Sequence, residues 1–240
     1  MGRRRLIGRP AIEAALDRGE PIARILVRED EDAPDVAALV ARAQEAGITV
    51  CVETEREMRR MSSSDSAASL LAVSGPPLGK TLGELMRAEG LVLILAGLRY
   101  PGNVGFILRS AEVAGAAGVV LDHNWSKGER EEASRISIRA DRFLPVIDAE
   151  AGEAVAAARA AGRQVVAVET SATQTPWSID LAQPSAMLFG SETEGLSAEI
   201  MGDVDQSVRI PTRGFIPSYN VQAATGILLG EWLRQTHADE

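Results

Sequence analysis

The sequence predicts an α/β fold: a mostly parallel sheet with helices on both faces, preceded by a small α/β domain. Three observations carry this. After residue 80, short apolar runs alternate with helical segments, the pattern of successive strand-helix-strand units. The run Leu91–Ala96 is wholly apolar, as in a strand covered on both faces. Gly75-Pro76-Pro77-Leu78-Gly79 blocks the continuation of helix and sheet alike and divides the chain.

The elements follow in order. Pro10 suits the first turn of a helix running to Asp17. Ile22–Val27 reads as a strand. Asp35–Ala46 has helical periodicity and stops at Gly47. Ile48–Val52 is a second strand, and Thr54–Met61 a short helix whose Thr54 and Glu57 have capping-box spacing. An exposed loop, Ser62–Ser66, leads to a third strand, Ser69–Ser74. The domains are therefore drawn as 1–75, a linker and first helix over 76–86, and 87–240. In the second half, helices are expected over Leu82–Glu89, Asn103–Ala114, Ala149–Ala161 and Tyr219–Gln235. Strands beyond Leu91–Ala96 are expected at Gly118–Leu121, Phe143–Val146, Val165–Val168, Ser185–Phe189 and Ser207–Ile210.

Composition excludes several classes of function. No apolar run approaches the roughly 20 residues of a membrane span. The basic start Met1-Gly2-Arg3-Arg4-Arg5 is not followed by a signal-type apolar segment, and Leu6 occupies the place where a myristoylation motif has Ser or Thr. A cytoplasmic protein with no membrane partner is expected. The single cysteine, Cys51, allows neither an internal disulfide nor a thiolate cage, and His123 and His237 lack ligand spacing. No metal is expected. The net charge of −9 weighs against a nucleic-acid partner, but binding depends on local patches. Basic residues gather at Arg3, Arg4, Arg5 and Arg9, and again at Lys127, Arg130, Arg135, Arg139 and Arg142. Arg9, Arg135 and Arg139 are the RNA-binding candidates; the last two share a face if their segment is helical.

Three loops stand at expected strand ends, where open α/β sheets bind ligands. They are 97–105, rich in Gly and Pro and leading into a helix that carries Arg109; 189–197, from Phe189 to Ser197; and 210–220, from Ile210 to Asn220. A Gly-x-Gly-x-x-Gly fingerprint and a Walker lysine loop are both absent, which argues against a standard dinucleotide or ATP site.

Together, in this order, the loops resemble the three motifs of the SPOUT superfamily, in its branch of tRNA and rRNA ribose 2′-O-methyltransferases. The first motif is Pro101, Asn103, Gly105 and, six residues after the Asn, Arg109. The second is Gly190-Ser191-Glu192 with Gly195-Leu196. The third is Ile210-Pro211, then Ser218, Asn220 and Val221, then the small-residue run Ala223-Ala224-Thr225-Gly226. The likeness covers residues 88–236. Tyr219 stands where the family usually has Leu, and Gln222 where it has Ser. The first half resembles, more loosely, the ribosomal-protein-like RNA-binding domain that often precedes this one, through 7–16 and Ile25-Leu26-Val27. It has Asp65-Ser66-Ala67-Ala68 where that domain often has His-Gln-Gly.

The resemblance implies a carboxyl-terminal trefoil knot, a homodimer, and S-adenosylmethionine as methyl donor, contacted by Thr170, Gly190, Gly195, Ile210 and Tyr219. It implies catalytic roles for Arg109, Asn103, Glu192, Ser218 and Asn220. The resemblance implies that Arg109 helps to deprotonate the hydroxyl; its fixed charge and forked donors suit it to grip the phosphate beside the target ribose. Asn103 would orient Arg109 or the ribose, or merely cap its helix; Ser218 and Asn220 would position the nucleotide and cap the last helix. The expected activity is methylation of a ribose 2′-hydroxyl in structured RNA, 23S rRNA before tRNA. Methylation of a base and a non-catalytic RNA-binding or assembly factor remain the alternatives.

Overall fold

A computed structural model describes residues 4–62, 68–75, 78 and 81–237, and the chain divides into two compact units, 1–78 and 79–240. The expected loop residues 63–66, the departure at 65–67 and the linker residues Pro76, Pro77 and Gly79 lie outside the described residues.

In the first unit the elements run β1 (Arg5–Ile7), α1 (Arg9–Asp17), β2 (Ile22–Arg28), α2 (Pro34–Glu45), β3 (Thr49–Glu53), α3 (Glu55–Ser62) and β4 (Leu70–Ser74). The sheet order is β1-β4-β2-β3, with β2 and β3 parallel and the other pairs antiparallel. Pro10 sits in the first turn of α1 as expected. The capping box before α3 is formed: Thr54 N–H donates to Glu57 at 3.1 Å, and Glu57 N–H to the Thr54 hydroxyl at 3.3 Å. Ile12, Leu39, Ile25 and Leu70 close the core between sheet and helices.

The second unit carries α4 (Leu82–Arg87), β5 (Val92–Ala96), α5 (Pro101–Val113), β6 (Gly118–Asp122), α6 (Lys127–Ile136), β7 (Val146–Asp148), α7 (Ala151–Ala160), β8 (Gln164–Val168), β9 (Ser185–Phe189), α8 (Ala198–Gly202), β10 (Gln206–Val208) and α9 (Val221–Thr236). Its six strands pair in the order β10-β8-β9-β5-β6-β7, all parallel. Every residue of β5 and β9 is buried, which explains why β5 is wholly apolar and β9 is apolar after Ser185. One face is closed by α5 and α9, through residues such as Ile107, Leu108, Leu228 and Trp232. The other is closed by α4 and α7, through Leu85, Met86 and Val155. The α/β architecture with a parallel sheet and a small preceding unit is thus as expected.

Four local expectations are corrected. α5 begins at Pro101, two residues before Asn103, because Pro is favoured at the first helical position. The strand expected at Phe143–Val146 instead starts at Val146; a short 3₁₀ turn, Ala140–Arg142, precedes it, and Pro145 lacks the N–H a ladder needs. β10 ends at Val208, before Ile210. α6 stops at Ile136, and Ile138 and Arg139 adopt positive φ of 58° and 56°, so Arg135 and Arg139 do not share a helical face.

Candidate functional site

The carboxyl ends of β8, β9 and β10 open onto one cleft of about 500 Å³. The candidates Thr170, Gly190, Gly195, Ile210 and Tyr219 all line it. So do Glu192, Ser218 and Asn220. Residues separated by 50 positions in the chain meet because β8, β9 and β10 are neighbours in the sheet, although the chain visits them out of spatial order.

Two glycines shape the second loop. A Cβ on Gly190 would stand 2.5 Å from the carbonyl carbon of Gly195, so only a bare Cα lets the loop fold back on itself. Gly195 has φ +67°, a conformation that side chains disfavour. Gly105 of the first motif acts elsewhere: a Cβ there would stand 2.7 Å from the Ile136 side chain, so this glycine lets α6 press onto α5.

The three loops are joined by side chains. Asn103 Nδ2 donates to Glu192 Oε1 at 2.8 Å, and Asn220 Nδ2 donates to Asn103 Oδ1 at 3.2 Å. Arg99 pairs with Glu194 at 3.3 Å, a second tie between the first two loops. Asn103 is the third residue of α5, whose N-cap is Tyr100, so the capping alternative for Asn103 is set aside. Asn220 does cap α9, accepting the Gln222 N–H at 2.9 Å while its amide holds Asn103. Ser218 lies before that cap and does not serve as one.

Arg109 is not among the residues that line the cleft. It is exposed on α5, six residues beyond Asn103, which is about 9 Å along the axis and on a different side of the helix. Among the described residues it has no hydrogen-bond or ion-pair partner. The arginines proposed for RNA are placed unevenly. Arg9 pairs with Glu13 at 3.0 Å and Asp35 at 3.1 Å. Arg139 pairs with Glu131 at 2.8 Å and donates to the Ser134 hydroxyl at 3.1 Å. Arg135 is exposed and without a partner among the described residues.

Sequence reading passed over two charged residues of the cleft, Glu169 and Arg209. Each directly follows a strand, β8 or β10. That position was their signal. Among the described residues no cluster of three or more His, Cys, Asp or Glu could hold a metal ion, and no helix is long and apolar enough to cross a membrane.

Residues 90–230 match the model of the SpoU rRNA methylase family. This chain belongs to that family. Residues 5–72 match a second model, described as the RNA 2′-O ribose methyltransferase substrate-binding domain. The chain is 30% identical to a 23S rRNA (guanosine-2′-O-)-methyltransferase, RlmB, of Pseudomonas syringae pv. tomato, over 98% of this chain and 96% of the relative. It is 34% identical to an uncharacterized tRNA/rRNA methyltransferase of Synechocystis, over 62% of this chain; the match spans 54% of that longer relative. Among solved structures it resembles an AdoMet-bound rRNA methyltransferase from Sinorhizobium meliloti, with TM-score 0.62 and 26% identity, covering 97% of this chain and 87% of that one. It also resembles an RNA 2′-O ribose methyltransferase, with TM-score 0.57 and 30% identity, covering 97% and 88%. The chain is therefore an RNA methyltransferase of this family, with the α/β fold that its relatives share.

Proposed function

We propose that this chain transfers the methyl group of S-adenosylmethionine to a ribose 2′-hydroxyl of 23S rRNA, acting as a homodimer. The observation that carries the reading is the hydrogen-bonded line from Glu192 through Asn103 to Asn220, which ties the first motif loop to the two that line one cleft. The full-length likeness to a guanosine-2′-O-methyltransferase and to an AdoMet-bound rRNA methyltransferase supports both donor and acceptor. The match of residues 5–72 supports assigning residues 1–75 to RNA binding.

The cleft suits a donor nucleoside. Its volume falls within the roughly 300–1,000 Å³ of small-ligand pockets. Phe189, Ile210 and Val168 offer apolar wall, and Gly190 lets the second loop fold closely at the cleft's edge. Thr170, Gly195 and Tyr219 complete the donor contacts. The bound donor supplies a sulfonium-activated methyl group, so the chain's task is alignment and stabilisation of the nascent alkoxide.

A ribose hydroxyl is a weak nucleophile until its proton is drawn away; the proton passes to water as the oxygen takes the methyl group, the sulfur–methyl bond breaks and S-adenosylhomocysteine is left. Glu192, Asn103, Ser218 and Asn220 fix the acceptor nucleotide at the cleft mouth. Arg109, always cationic, grips the adjacent phosphate with a forked pair of hydrogen bonds and raises the local positive potential. Arg109 does not line the cleft of its own chain; with the site shared across the homodimer that the family likeness implies, the guanidinium at each cleft comes from the second protomer. Exposed Phe106 and Val113 on α5 and Ile227 on α9 offer apolar surface for that association, whereas Leu228 and Trp232 belong to the core. The knot implied by the family likeness belongs to this proposal, with the second and third loops forming it. Arg9, Arg135 and Arg139 extend the RNA contact; the acids around Arg9 and Arg139 would exchange with phosphates.

The target is tested by mapping 2′-O-methyl groups in 23S rRNA and tRNA from cells with and without this protein. Loss of one 23S site is expected. Loss of a tRNA site alone would shift the substrate to tRNA, and unchanged maps would refute the proposal.

A further inference from the structure

Glu169 is the first residue after β8; it is half-buried and lines the cleft. Its Oε1 accepts the Leu196 backbone N–H at 3.3 Å. Oε1 and Oε2 lie 3.5 and 3.8 Å from where a Cβ on Gly195 would stand. The carboxylate therefore reaches from the end of β8 to the second loop and rests against its bare glycine. Among the described residues Oε2 has no hydrogen-bond partner, and no cation pairs with the group. Oε2 is not closed off from solvent, since the buried side-chain atoms without a partner among the described residues do not include it. A carboxylate only accepts hydrogen bonds, so the open oxygen suits a ligand that brings its own hydroxyls in place of water.

Resting on the reading of this cleft as the donor site, we infer that Glu169 accepts hydrogen bonds from the ribose diol of the donor and makes the cleft selective for ribonucleosides. Val168, Phe189 and Ile210, on the same strand ends, offer the face for the base, and the sugar is the part of a nucleoside joined directly to it. An acid at a strand's carboxyl end is a general solution for holding a ribose hydroxyl in open α/β sheets. Gly195 keeps the approach to the carboxylate clear. A site built on such a bond discriminates against the analogue that lacks the hydroxyl, because its polar group is then left unpaired.

Calorimetric titration of the full chain with S-adenosylhomocysteine and with its 2′-deoxy analogue tests this, using wild type, Glu169→Gln and Glu169→Ala. Wild type should prefer the ribose form by about 10- to 100-fold. Glu169→Ala should lose that preference to within about 3-fold, mainly by weakening the ribose form, and Glu169→Gln, which keeps an acceptor oxygen, should retain part of it. A Glu169→Ala variant that discriminates as wild type does overturns the inference while leaving the donor site standing. Equal weakening of both ligands, marking an effect on the loop through Leu196 or on the amino acid moiety, also overturns it. A wild-type chain that binds neither ligand contradicts the donor-site reading itself.

Discussion

Gly190→Ala isolates the contribution of the second loop's backbone. The added Cβ would stand 2.5 Å from the Gly195 carbonyl carbon, 2.7 Å from its oxygen and 2.8 Å from the Leu196 nitrogen. Ordinary contact begins near 3.4 Å, so the backbone at 195–196 must retreat by about 0.9 Å. No flexible side chain can yield instead, since all three atoms are backbone. The retreat also disturbs the Leu196 N–H to Glu169 hydrogen bond, which is 3.3 Å long. Overpacking of this kind costs about 1–3 kcal/mol. If the donor requires the original wall, the same energy weakens binding by about 5- to 150-fold. Calorimetric titration with S-adenosylmethionine measures this directly. Gly152→Ala is the control, because a Cβ there meets nothing within 4 Å; it should bind the donor as wild type does. A Gly190→Ala variant of unchanged affinity would refute the assignment of this loop to the donor.

Other outcomes follow from the same structure. Arg109→Ala should abolish methyl transfer yet leave donor affinity within about 3-fold, since its proposed contact is the RNA phosphate and not the donor; near-normal turnover on the true RNA would exclude its role. Arg163, only 4% exposed, donates to the carbonyls of Met86 and Gly90, both at 2.7 Å, of Ser185 at 3.1 Å, and of Ala88. Burial pulls its pKa down, yet these carbonyls hold the guanidinium in place. Arg163→Met would leave them without donors and should cost about 3–5 kcal/mol, lowering Tm by about 10 °C; a shift under about 2 °C would show that the network adds nothing. Hydrogen bonds from Arg234 hold the Glu231 carboxyl below its ordinary 4.5, with Gln235 adding to the effect. A depressed folded-state pKa contributes stability above the unfolded value that is lost as pH falls through the folded one. Stability should therefore decline below about pH 4.5, and Glu231→Gln should flatten that part of the profile; an unchanged slope would contradict the linkage.

Much of the fold was legible because its signals are local. The Thr54/Glu57 cap, Pro10, the wholly apolar β5 and the apolar run Ala186–Phe189 of β9 announce themselves within a few residues. β1 escaped notice for the opposite reason. It has three residues, two of them exposed, and becomes a strand only by pairing with β4 some 66 positions away, as in Arg5 against Val73 or Ile7 against Leu71. The end of α6 was equally hidden, because the left-handed turn at Ile138 and Arg139 occurs without a glycine to signal it. At the site, the motif residues could be named before the structure, but their physical connection could not. Asn103, Glu192 and Asn220 touch because β9 lies beside β5 and α9 packs beside α5, a consequence of strand order that no short window contains. Glu169 and Arg209 gain their place from the same order, with β8 between β9 and β10.

The position of the methyl group is what separates this account from its rivals. Purified protein, methyl-labelled S-adenosylmethionine and ribosomal RNA should yield label that survives alkaline digestion in dinucleotides, since a methylated 2′-oxygen can no longer attack its phosphate. Label recovered only in mononucleotides would put the methyl group on a base, and absence of label would argue for a protein that binds RNA without modifying it.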